Sequence, residues 1–98
     1  MNTPGADADS HTLVRDLAIV NQRGLHARAA AKFVRTAETF EARVQVTRDD
    51  QSVAGTSILG LMLLGAGPGT VLTLQAEGSD AEGALAALGA LIERGFDE

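Results

Sequence analysis

Cysteine, tryptophan and tyrosine are absent from the 98-residue chain. Without cysteine there are no disulfides and no thiolate chemistry, and the redox compartment must be inferred from other features. With three phenylalanines as the only aromatics, a core has to be built from Val, Leu, Ile and Ala. Bases are the scarcer charge: eight Lys and Arg face 13 Asp and Glu, a net charge of −5. That balance argues against nucleic acid or an anionic membrane as the main partner. No run approaches the roughly 18 apolar residues of a membrane span, and the N-terminus lacks an apolar signal-like stretch. The expectation is a soluble cytoplasmic protein with no membrane insertion. At 45% hydrophobic residues the chain can bury one real core, so a single domain is expected.

Residues 1–12 are small, polar and aperiodic, and read as a flexible tail ahead of a domain over 13–98. His11 belongs to that tail and has no neighbour to activate it. Leu13 to Val20 suits a strand with Leu13, Leu17 and Ile19 on one face and Arg15 among them. From Ala27 the period changes: Ala30, Phe33, Val34 and Ala37 form the apolar stripe of a helix, with Phe40 closing the packing beyond it. Ala42 to Thr47 alternates again, Asp49-Asp50 signals a turn, and Gln51 to Ala54 returns as the second arm of a hairpin. Thr56 or Ser57 can cap a short helix over Ile58 to Leu64 that Gly65 stops. Most of this run is expected in the core, with Leu59, Met62 and Leu63 the candidates for an exposed docking patch. After the Gly-Pro connection at 65–69, Val71 to Ala76 reads as a strand with Leu72, Leu74 and Ala76 on one face. Ser79 and Glu82 fit a capping box for a last helix to about Arg94, with core residues Ala81, Leu85, Leu88, Leu91 and Ile92. Gly83 and Gly89 weaken that helix by roughly 1 kcal/mol each relative to alanine. The order β-α-β-β-α-β-α implies an α+β fold, a four-stranded antiparallel sheet with three helices on one face.

The junction at His26 holds the chemistry. A strand ends, Gly24 permits a tight turn, and a helix begins at Ala27. The first turn of a helix has unpaired N–H groups and a partial positive charge, a ready anion site. The backbone N–H groups of Ala27, Arg28 and Ala29 can receive phosphoryl oxygens, and the Arg28 side chain adds a charge. The helix terminus also favours the neutral, nucleophilic imidazole. A histidine at a helix start is equally an ordinary polar residue, and nothing is spaced to complete a Ser-His-Asp triad or a metal site. If His26 acts, it acts as a transient acceptor with no metal and no cofactor. A docking module with an idle histidine and a small acylphosphatase-type enzyme are the rival classes.

Gly24-Leu25-His26-Ala27-Arg28-Ala29-Ala30-Ala31-Lys32-Phe33-Val34 resembles the active-site signature of HPr, the histidine-containing phosphocarrier family of the phosphotransferase system. Gly55-Thr56-Ser57-Ile58-Leu59-Gly60-Leu61-Met62-Leu63-Leu64-Gly65 resembles the second signature, around its regulatory serine. The likeness runs from about Leu13 to Arg94. It implies the HPr-like open-faced β-sandwich, His26 as phosphoryl acceptor and Arg28 as the group that assists the phosphate. The phosphate would come from Enzyme I, charged by phosphoenolpyruvate, and pass to an EIIA-type domain. The same likeness makes Ser57 the counterpart of a serine modified by an HPr kinase/phosphorylase, and the carrier a monomer that is a substrate of other enzymes. Lys32 would join Leu59, Met62 and Leu63 in meeting partners. The alternative it leaves is a regulatory module controlled through Ser57 rather than by flux through His26. Ala29 stands where many members carry proline, which is tolerated in a helix's first turn. With the alanine-rich helix, it is reminiscent of the nitrogen-related branch.

Overall fold

The computed structural model describes residues 12–98. The expected tail, with His11, lies outside them except for Thr12, which opens the first strand and pairs with Glu77. In chain order the elements are β1 (Thr12–Ala18), α1 (Ala27–Ala37), β2 (Arg43–Arg48), β3 (Gln51–Ala54), α2 (Ile58–Leu63), β4 (Val71–Glu77) and α3 (Ala81–Glu93). A 3-10 turn, Gly95–Asp97, follows. The sheet runs β1-β4-β2-β3 with every neighbouring pair antiparallel. The three helices cover one face, giving the open-faced β-sandwich.

Alternation decides which face is covered. Val44, Val46, Leu72, Leu74 and Ala76 are buried while the residues between them are not. Register places Val44 opposite Ala76, Val46 opposite Leu74 and Leu17 opposite Leu72. A slip of one residue would turn this apolar set outward, so burial fixes the register. The helices supply the other half of the core, chiefly Phe33, Leu61, Leu88 and Ile92.

Three expectations need correction. Leu13 shares a face with Leu17 and Ile19 yet remains exposed. The next inward-facing residue is Arg15, which lies across α3 and donates to Glu93 at 3.1 Å. A charged pair thus closes the outer part of the β1–α3 seam, and Leu13 lies beyond it. Gly89 is the seat for that arginine, because a Cβ there would come within 2.5 Å of its guanidinium. The capping box at Ser79 does not form. Asp80 is the N-cap of α3 and makes no side-chain cap bond. Its carboxylate accepts instead from the Glu41 N–H at 2.7 Å, pinning the start of α3 to the loop before β2. In α2, finally, only Leu61 and the following Leu64 are buried, whereas Ile58, Leu59, Met62 and Leu63 are exposed. So short a helix meets the core along one narrow line, and the remainder of an all-apolar run has nowhere to go but outward.

Candidate functional site

The turn after β1 sets the position of His26. Gly24 N–H donates to the Asn21 carbonyl at 3.2 Å, and Gly24 has φ +64°. A side chain there would strike the carbonyl oxygen of Ala66, which accepts the Leu25 N–H at 2.9 Å. The turn is therefore pressed against the loop that follows α2, and the buried Leu25 side chain anchors it. His26 is extended and serves as the N-cap of α1 without a side-chain cap bond. Its carbonyl takes the first helical bond, from Ala30 N–H at 2.8 Å. Among the described residues the N–H groups of Ala27, Arg28 and Ala29 have no acceptor. Ala29 is buried, and α1 starts normally with alanine at that position.

A cleft of about 260 Å³ borders the imidazole. It is lined by the bases Arg23, Arg28 and Lys32, by the acids Asp97 and Glu98, and by Ala29 and Phe96. The His26 side chain is 19% exposed, with Nε2 3.9 Å from Glu98 Oε1. Glu98 is itself held: Asn21 Nδ2 donates to Oε1 at 2.6 Å, and Arg23 N–H reaches its two oxygens at 3.3 and 3.4 Å. The Asn21 bond, more than any other contact, keeps this carboxyl below its ordinary range; partial burial opposes it, and the Arg23 N–H and nearby positive charge add to it. Asp97 is lowered as well, first by its hydrogen bond from Arg94. Lys32, expected at the partner interface, donates to the Phe96 carbonyl at 2.8 Å and lies 3.9 Å from Asp97. Arg28 is exposed and unpaired among the described residues.

The sequence reading missed Asn21, Phe96 and Glu98. One signal was available: Gly95 follows the last apolar position of α3 as a helix stop, and an apolar residue just beyond such a stop commonly folds back onto the helix. Phe96 does so, with φ 57° and nearly complete burial. The Glu98 contact had no signal, since it joins segments distant in sequence.

Ser57 is the N-cap of α2, and its Oγ accepts from Gly60 N–H at 2.9 Å. Of the two capping candidates it is therefore Ser57 that caps, and Thr56 stays exposed. Leu59, Met62 and Leu63 form an exposed apolar surface on α2, which packs against α1.

Chemically, the junction offers one imidazole, unpaired N–H donors and a free guanidinium. Among the described residues no group of His, Cys, Asp or Glu is arranged to hold a metal ion. The family model for the PTS HPr component phosphorylation site matches residues 13–94. The chain belongs to the HPr family. It is 46% identical over 86 residues to the phosphocarrier protein HPr of Neisseria meningitidis, covering 88% of this chain and 97% of that one. To the phosphocarrier protein NPr of Shewanella violacea it is 41% identical, over 88% and 94% of the two chains. The crystal structure of HPr-C-His from Thermoanaerobacter tengcongensis superposes with a TM-score of 0.84 at 45% identity, covering 88% and 97%. As an HPr protein it is a phosphocarrier of the phosphotransferase system, not an enzyme, and works by phosphoryl transfer through histidine.

Proposed function

We propose that His26 is the residue that carries the phosphoryl group, taking it from Enzyme I charged by phosphoenolpyruvate and handing it to an EIIA-type domain in the cytoplasm. The observation that carries this reading is the junction itself. His26 caps α1 with no side-chain bond of its own, beside the unpaired N–H groups of Ala27, Arg28 and Ala29. Those donors and the free Arg28 guanidinium suit the three phosphoryl oxygens, and charge-assisted bonds of this kind are the strong ones. The acids beside His26 are already engaged, Glu98 by Asn21 and Asp97 by Arg94, so in this scheme the phosphate waits for a partner's active site. The apolar surface of Leu59, Met62 and Leu63 is the docking face in this scheme, and Lys32 contributes by holding the turn at Phe96 beside the site. Incubation with Enzyme I and phosphoenolpyruvate should place one acid-labile phosphate on the protein. His26→Ala should abolish it, and undiminished labelling of that variant would overturn the reading.

Ser57 supports a second, regulatory reading. Its hydroxyl lies at the start of α2 beside the docking face, so an added phosphate would bring about two negative charges to the surface that partners meet. A kinase of the HPr kinase/phosphorylase type should then label the wild type and not Ser57→Ala. The alanine-rich α1, with Ala29 at its third position, favours an acceptor of the nitrogen-related branch. Faster transfer to a sugar-specific EIIA than to a nitrogen-type one would reverse that assignment.

A further inference from the structure

We propose that Arg48 is a positioning residue for phosphoryl transfer: reaching from the end of β2 to the end of α2, it fixes the docking face relative to the turn that presents His26. The proposal rests on the carrier reading and adds to it a residue outside the cleft at His26.

Alternation along β2 puts Arg48 on the covered side of the sheet, in line with Val44 and Val46, because side chains two apart on a strand share a face. It is the last residue of the strand and pairs with Gln51 across the hairpin. From there the half-buried side chain crosses to the helical layer. Its Nη1 donates to the Leu64 carbonyl at 2.8 Å and to the Gly65 carbonyl at 2.8 Å. Both hydrogens of one nitrogen are thereby used. Asp49, 3.9 Å from Nε, is exposed and competes little, since pairs open to water are weak.

Those two carbonyls need a donor. The last carbonyls of a helix have no partner inside it, and among the described residues neither of these accepts a backbone N–H. The last turn of α2 also carries no basic residue, although a cation is favoured there. Arg48 brings one from the sheet. The place of the two carbonyls in the chain gives the contact its use. Leu63, exposed on the docking face, comes immediately before them. The Ala66 carbonyl, which takes the Leu25 N–H at 2.9 Å, comes immediately after. One guanidinium thus stands between the surface that meets a partner and the turn that delivers the imidazole.

Transfer between two proteins needs both parts in a fixed relation. A partner seated on Leu59, Met62 and Leu63 brings its phosphoryl group to a place set by α2. The imidazole sits where the turn at Gly24 and Leu25 puts it. A mismatch between the two disturbs the alignment of the reacting atoms, and so acts on the rate within the complex rather than on binding. With six residues, α2 is too short to hold its own end rigid. Ser57 fastens its start and Arg48 its end.

The test uses Arg48→Met, which keeps an unbranched stem and loses every donor. Hydrogen exchange at the Leu25 amide, followed by NMR without any donor protein, should be about tenfold faster in the variant, the size expected from losing charge-assisted bonds on the adjoining loop. The Leu74 amide, deep in the sheet, should exchange as in the wild type. In phosphorylation by Enzyme I, kcat should fall about fivefold with KM for the carrier unchanged. A merely destabilised carrier would behave otherwise, because an unfolded fraction lowers the concentration of usable substrate and raises the apparent KM. Arg48→Lys, a shorter donor that keeps the charge, should recover part of the loss. Exchange that quickens equally at both amides, or at neither, would overturn the proposal, as would an unchanged kcat or a loss confined to KM. If the wild type itself takes no phosphate on His26, the carrier reading fails and takes the proposal with it; failure confined to the Arg48 variants leaves that reading standing.

Discussion

At the scale of single residues, the site is a set of exchanges between backbone and side chain. Gly24 accepts a left-handed conformation so that Leu25 can donate to Ala66, and Asn21 leaves one oxygen unpaired to hold two acceptors. Glu98 shows how such an arrangement responds to acid. Its ordinary value is 4.5, and the Asn21 donor holds it lower in the folded protein. The carboxylate therefore contributes stability that is fully present above the unfolded value and is lost as pH falls through the folded one. Titration followed at the Asn21 side-chain amide by NMR should show one step with its midpoint below 4.5. A midpoint at or above that value would mean that the bond does not exist in solution.

At the scale of elements, α2 depends most on its cap. It has six residues, too few to stand by helix propensity alone, and Ser57 satisfies one of its orphan donors. Ser57→Ala should cost about 1 kcal/mol, seen as a fall in melting temperature of roughly 4–8 °C for a domain of this size. No fall would mean that Thr56 or water replaces the hydroxyl. The elements were also where the sequence was most legible. Alternation at Val44 and Val46, and a 3.6-residue stripe through Ala30, Phe33 and Val34, are local signals that burial enforces, and each element lies within two residues of its expectation. The misses were tertiary. Ser79 and Glu82 had the spacing of a capping box, but Asp80 was recruited by Glu41 from another part of the chain. Apolar α2 looked like core because composition does not reveal how much of a short helix its neighbours can cover. Around His26 the helix-capping position of the imidazole, the exposed Arg28 and the unpaired donors were readable from one contiguous stretch. Asn21 and Glu98 were not, since their bond spans nearly the whole domain.

At the scale of the molecule, one face of the sheet is covered and α2 presents apolar surface near one edge of the helical layer. Leu63 is 71% exposed, so removing it should cost the fold little and the complex much. Leu63→Asp should leave the melting curve within about 0.5 kcal/mol of wild type while raising KM for Enzyme I about tenfold. A normal KM would show that donors approach by another surface.

The bond from Leu25 to Ala66 has a consequence in the life of the chain. It joins the turn before His26 to the loop between α2 and β4, so the geometry at His26 depends on a contact with the second half of the domain. A nascent or unravelled chain carries the same histidine but not the site. On the proposed carrier role, a chain whose second half is unfolded should therefore take phosphate from Enzyme I more slowly than the folded protein, and equal rates would show that the bond from Leu25 to Ala66 does not matter to charging.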